Sequence, residues 1–162
     1  MIVTNSSPLI VLGKQGRLHL LEKCFEHVLI PKAVHDEVFH NKDSPEAIAL
    51  ETAIKDKWVS VEAIEVSSML RTEKLGSGEK EAISLALKRK ALLLIDDDVA
   101  KAYASMLGVD AHGTLFAVYF AKARGFIGRE EAKGILDAAI VNGFYVSTEV
   151  YSKFVNLLNS GK

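Results

Sequence analysis

One cysteine, Cys24, stands in 162 residues. It can form no intramolecular disulfide, which excludes a disulfide-stapled secreted scaffold and suits a reducing cytoplasm. Its apolar, helical-looking surroundings make it a core residue. The start, MIVTNSSPLIVLGKQG, lacks the charged beginning and long apolar run of a signal peptide, and no stretch is long enough to span a bilayer. A soluble, cytoplasmic protein with no membrane partner is expected. Net charge is only −1, with 20 Lys and Arg against 21 Asp and Glu and no long basic run. Bulk attraction to phosphate is therefore excluded, and any nucleic-acid site must be local. His19, His27, His35, His40 and His112 show no HxxxH-type pairing, which argues against zinc. Among them His112, before a Gly-Thr pair, stands closest to a motif. No internal repeat, low-complexity tract or linker splits the chain.

What is present is an apolar fraction of 49%, enough for one globular domain over residues 1–162 to bury a full core. Strand and helix patterns alternate, which predicts an α/β fold with a parallel sheet covered on both faces. Residues 1–4 read as a first strand. Ser-Ser-Pro then opens a helix, with a serine as cap and Pro8 in the first turn. HVLIP reads as a second strand stopped by Pro31, and AVHDEVF as a short helix. AIALETAIKDK is helical, WVSVEAI alternates like a strand, and Gly-Ser-Gly at 76–78 precedes the strongest helix, EKEAISLALKRK. ALLLI is a buried strand, DVAKAYASMLG a helix closed by Gly108, VDAHG an edge strand or turn, and TLFAVYFAKARG a helix ending at Gly125. Two polar-faced helices, about 128–160, complete the domain.

Carboxylates gather at one set of places in this plan. Asn5 follows the first strand, Glu37 lies in the helix after the second, Glu79 opens the long helix, and Asp96, Asp97 and Asp98 follow ALLLI. In open parallel sheets the carboxyl ends of strands form the ligand crevice, where helix N-termini point free N–H groups. Acids brought together there repel one another, and a hard divalent cation between them relieves the repulsion. Acids also favour helix N-termini for purely structural reasons, which covers Glu79 and Asp97 equally well. Asp36 and Asp98 read as solvated surface acids. Ser7 reads as a helix cap or a donor at the site, and Lys88, Arg89 and Lys90 as a dipole-favoured basic helix end.

The ordered set of motifs resembles the PIN-domain ribonucleases, in their VapC-like prokaryotic branch, over nearly the whole chain. Asn5-Ser6-Ser7-Pro8-Leu9-Ile10 stands where that branch has Asp, a small hydroxyl residue, Ser, Pro, Leu and Ile; the aspartate is missing here. IPKAVHDEV supplies Glu37, GSGEKEAISLA supplies Glu79, and Asp96-Asp97 match the aspartate pair after the fourth strand. Asp98 departs from the usual basic residue, Lys101 stands where an arginine is usual, and Gly113-Thr114 opens a matching helix.

The resemblance implies a three-layer α/β/α PIN-like fold with a central, mostly parallel sheet. It also implies a Mg2+- or Mn2+-dependent endoribonuclease, the toxin of a toxin–antitoxin pair. On that pattern Glu37, Glu79 and Asp97 are catalytic, Asn5, Glu79, Asp97 and Asp96 hold metal, and Ser7 and Lys101 meet substrate. RNA, a protein antitoxin and a second copy of the chain are the implied partners, with Ile10, Val11, Leu18 and Leu21 offering apolar faces that serve either a homodimer or the core. Asn5 offers a carbonyl oxygen but no charge, so the alternative is a catalytically weakened PIN-like module that binds RNA or protein. A receiver-like phosphoryl-transfer fold ranks last, because its acidic pair would stand near the start of the domain.

Overall fold

The computed structural model of the chain describes residues 1–160, built around five strands: β1 (Ile2–Thr4), β2 (Val28–Pro31), β3 (Val59–Glu62), β4 (Leu92–Leu94) and β5 (Ala111–His112). Their order is β3-β2-β1-β4-β5, and every neighbouring pair is parallel. Around them lie α1 (Ser6–Lys14), α2 (His19–Phe25), α3 (Lys32–Val38), α4 (Pro45–Lys55), α5 (Ser77–Arg89), α6 (Asp98–Met106), α7 (Thr114–Ala123), α8 (Arg129–Val141) and α9 (Thr148–Ser160). None of the described helices is long and apolar enough to cross a membrane.

The two-residue period of the strands divides the core into two layers. Ile2, Val28, Ile30 and Leu94 join a cluster with α1 to α4 and α7 to α9. Val3, Leu29, Leu93 and Ile95 join the other, with α5 and α6. Both faces are therefore buried, which is why VLI and LLLI are uninterrupted apolar runs. The architecture is the three-layer α/β/α arrangement expected. Phe154 and Leu158 of α9 belong to the same cluster as α1 and α8.

Of the local expectations, the serine cap needs correction and the structure resolves the others. Asn5, not a serine, holds the position before the first helix, because Ser6 and Ser7 are already helical. Pro31 ends β2 from inside, where its missing N–H leaves no gap in the strand interior. Leu18 and Leu21 are 4% and 0% exposed, so they are core and unavailable to a partner. Gly108 and Gly125 do close α6 and α7 in left-handed conformations, with φ of 78° and 77°.

The chain runs outward from β1 to β2 and β3, then crosses back to β4 on the opposite side of β1. That reversal between β1 and β4 opens the crevice at their carboxyl ends. Thr4 is level with Leu94, and the Asn5 N–H donates to the Leu94 carbonyl at 2.9 Å. Asn5 is thereby held beside the segment that carries Asp96 and Asp97.

Candidate active site

A cleft of about 700 Å³ opens at this crevice, and its walls include Asn5, Ser7, Glu37, Glu79, Asp96, Asp97 and Asp98. Four separate segments of sequence thus bring their acids, or the amide, to one place. No lysine or arginine lines it. Gly78 keeps the space between two of these groups open: a Cβ there would lie 2.9 Å from Glu37 Oε2 and 3.5 Å from Asn5 Oδ1.

Helix capping accounts for some of these acids and not for others. At Pro31, Gly76 and Gly113 the residue before the helix has no side chain able to accept from the first turn. A carboxylate elsewhere does so in two of the three cases: Glu81 Oε2 accepts from Ala33 N at 2.9 Å, and Asp96 Oδ1 from Thr114 N at 2.7 Å. At the third, Glu79 folds back so that Oε2 accepts from Gly76 N at 3.0 Å. Asp97 caps its own helix, with Oδ1 accepting from Ala100 N at 2.9 Å.

Asp96 carries the heaviest structural duty. Besides capping α7, it accepts from Ser7 Oγ at 2.7 Å and from Thr114 Oγ1 at 2.6 Å, both through Oδ2. It brackets α1, β4 and α7 together, and both of its oxygens are committed. Ser7 is tied to that bracket. Gly113 is required there, since its Cβ would fall 2.8 Å from Asp96 Oδ1.

Glu37 and Asn5 behave differently. Glu37 sits in the last turn of α3, the negative end of the helix dipole, where an acid is disfavoured. Among the described residues nothing donates to its carboxylate, and it is exposed to the cleft. Asn5 occupies a capping position yet makes no capping bond, and its buried Oδ1 has no hydrogen-bond partner. An orphaned buried acceptor is costly, on the order of 1–3 kcal/mol. Neither group is explained by helix architecture.

Glu79 reports the local field. Burial pushes its carboxyl above the usual glutamate range, opposed by the Gly76 N–H and reinforced by the negative charges of Asp97 and Glu37.

Over residues 1–160 the sequence matches the family model DUF3368, described as a PIN domain. The chain belongs to the PIN-domain family. PIN domains are generally nucleases that use divalent metals, so the cleft belongs to a nuclease-type module. A solved structure of a PilT N-terminus domain protein, SSO1118, from the hyperthermophilic archaeon Sulfolobus solfataricus P2 is similar in fold. Its TM-score is 0.50 at 21% identity, covering 72% of this chain and 88% of that one. Among curated proteins none matches.

The PIN-domain cleft offers oxygen donors and no nitrogen or sulfur ligand, a set suited to a hard cation such as Mg2+ or Mn2+. The unpartnered Asn5 Oδ1 and the like charges gathered around Glu79 fit such an ion. Among the described residues no three acidic, histidine or cysteine side chains close on one point. The acids stand farther apart than one coordination sphere, and the Glu37 carboxylate accepts no hydrogen bond from the described residues.

The remaining sequence-based candidates fall elsewhere. Lys101 lines an adjoining hollow of about 280 Å³ rather than the acid cleft itself. His112 Nε2 lies 2.8 Å from Asp110 Oδ1, and the ring stacks on Phe116 at 4.1 Å, a structural role. Lys88 and Arg89 are paired with Glu62 at the far end of α5. Asp36 is exposed and held below the usual aspartate range by hydrogen bonds from His35 and Lys32. Sequence reasoning missed Phe144 and Tyr145, which reach the cleft from the turn between α8 and α9. Their only signal was Gly-Phe-Tyr between two amphipathic helices. It also missed Glu81, whose long-range cap is invisible without the fold.

Proposed function

We propose that the chain is a metal-dependent endoribonuclease of the VapC-like branch, acting on RNA with Mg2+ or Mn2+. The observation that carries this is the pair Glu37 and Asn5 Oδ1, both without partners and both facing the space that Gly78 leaves open beside Glu79. A divalent ion held in this cleft would supply Lewis acidity toward the phosphate and toward a water nucleophile. Glu79, the free oxygen of Asp97 and the Asn5 carbonyl oxygen are the donors this reading assigns to the ion. Glu37 takes a proton from the attacking water as the water oxygen bonds to phosphorus. The P–O bond on the far side then breaks, and the leaving oxygen acquires a proton from solvent. Asp96 is a weaker ligand than its position in the motif implies, because its oxygens already accept three hydrogen bonds.

The same reading takes residues 1–162 as one PIN-like unit with the C-terminal helices inside it. Phe154 and Leu158 in the α1 and α8 core support that. A toxin–antitoxin role, in which an antitoxin masks the acids with a basic side chain, and a homodimer are its further extensions. Asn5 favours a second reading, a PIN-like module weakened in catalysis, because an amide contributes no charge to the site.

Cleavage of a structured RNA with Mn2+ or Mg2+, beside EDTA, Asp97→Asn and Asn5→Asp, separates the two. Metal-dependent cleavage that Asp97→Asn abolishes supports the nuclease. Silence in the natural protein with activity in Asn5→Asp supports the weakened module, and silence in both removes the nuclease reading.

A further inference from the structure

Tyr145 is 86% exposed, yet it forms part of the acid cleft wall. It sits on the α8–α9 turn, just after Gly143, whose φ of 96° only glycine adopts readily, and after the half-buried Phe144. Among the described residues its hydroxyl makes no hydrogen bond. A large aromatic side chain left in water loses the stabilisation that burial would give, and no internal contact of Tyr145 explains its place.

Three hollows meet at this turn. Phe144 and Tyr145 line the acid cleft and also two adjoining hollows. Lys14 lines one flanking hollow and Lys101 the other. Neither lysine lies within 4.0 Å of a carboxylate of the described residues, unlike Lys88, Lys133 and Lys153, which are paired. The acid cleft thus adjoins two hollows that each hold a lysine outside ion-pair distance, and an exposed aromatic ring lines all three. The acids repel a polyanion, whereas the flanking lysines attract its phosphates.

Resting on the nuclease reading, we infer that Tyr145 is a positioning residue, on which an unpaired base of single-stranded RNA stacks while Lys14 and Lys101 take flanking phosphates. An aromatic face accepts any base, so this contact selects for unpaired structure rather than sequence. In a duplex the bases are already stacked on one another and their faces are out of reach. Exposed Val150 lines one of these hollows, so a second copy of the chain is the competing occupant. The two lysines outside ion pairs and the shared acid wall favour RNA.

The test is binding of a fluorescein-labelled, unstructured 12-nucleotide RNA in EDTA, which leaves the strand intact, with the matching duplex as control. Tyr145→Ala weakens single-strand binding roughly five- to a hundredfold. Tyr145→Phe restores it to within about twofold, because stacking needs the ring and not the hydroxyl. Tyr145→Trp is quenched by added strand. Lys14→Ala with Lys101→Ala weakens both RNAs and flattens the salt dependence. Because Tyr145 is exposed, its Tm in each variant stays at the natural value. With Mn2+ present, Tyr145→Ala raises KM for single-stranded RNA more than it lowers kcat.

Equal single-strand affinity in Tyr145→Ala overturns the inference, and continued metal-dependent cleavage by that variant shows that the nuclease reading survives it. Dissociation of a dimer by Tyr145→Ala in sedimentation, with RNA affinity unchanged, assigns the ring to a second copy instead. If the natural protein neither binds nor cleaves RNA, both readings fall.

Discussion

The two ends of α5 carry charges in opposite circumstances. At its C-terminal end Arg89 Nη2 lies 2.6 Å from Glu62 Oε2, and Lys88 Nζ lies 3.8 Å from Glu62 Oε1. The positive charges also sit at the favourable end of the helix dipole. At the N-terminal end, about 15 Å away by helix rise, Glu79 faces Asp97 and Glu37 with no cation lining the cleft. One end satisfies its electrostatics within the chain; the other leaves them unsatisfied. Paired charges of this kind stabilise folds modestly. Gathered like charges lower stability, so their presence points to a ligand of the opposite sign.

The sharpest way to test that contrast is to neutralise each end. Glu79→Gln lowers metal-dependent RNA cleavage at least about a hundredfold, because several kcal/mol of charge stabilisation is lost in the reaction. Arg89→Ala leaves cleavage unchanged and reduces stability by less than about 1 kcal/mol. Initial rates and denaturant midpoints for both variants check this, and comparable losses of activity would erase the distinction.

A second contrast lies between adjacent residues, Asp96 and Asp97. Asp96→Ala removes three hydrogen bonds that join α1, β4 and α7, and destabilises the protein by about 2–4 kcal/mol in urea unfolding. Asp97→Ala removes one helix cap and costs about 1 kcal/mol. Equal costs would show that the bracket is not what Asp96 contributes.

The smallest effect concerns pH. The folded protein holds the Glu79 pKa above its unfolded value, so ionising Glu79 lowers stability. That penalty is complete above the folded pKa and absent below the unfolded value of about 4.5. In EDTA, Glu79→Gln should therefore raise Tm by no more than a few degrees at pH 7, since water screens a partly exposed carboxylate. The advantage should vanish as pH falls to about 4. Thermal melts across that range measure it, and an unchanged or lower Tm at pH 7 contradicts the assigned field.

Much of this was legible in the sequence because it rests on short-range signals. LLLI between polar helices announces a strand buried on both faces, and Gly108 and Gly125 mark helix ends through their backbone freedom. The acids at strand ends were visible as candidates for one crevice, since parallel topology brings such ends together. Their separate duties were not visible. Asp96 and Asp97 are equivalent as letters, and only the approach of Ser7 and Thr114, at 89 and 18 residues' separation, distinguishes them. Phe144 and Tyr145 were illegible for a related reason. They reach the cleft through the packing of α8 and α9, which no local pattern specifies. The serine cap failed because an Asn with extended backbone already held the position before the helix.

The most direct test of the cleft as a cation site is calorimetric titration of Mn2+ into the natural protein, Glu37→Gln, Asn5→Asp and Arg89→Ala. The Glu37 carboxylate and Asn5 Oδ1 are cleft acceptors to which nothing among the described residues donates. The expected result is binding to the natural protein that Arg89→Ala leaves unchanged, Asn5→Asp tightens, and Glu37→Gln weakens about tenfold or more through the lost negative charge beside the ion. Mn2+ binding that is absent, or indifferent to Glu37→Gln and Asn5→Asp alike, would contradict it.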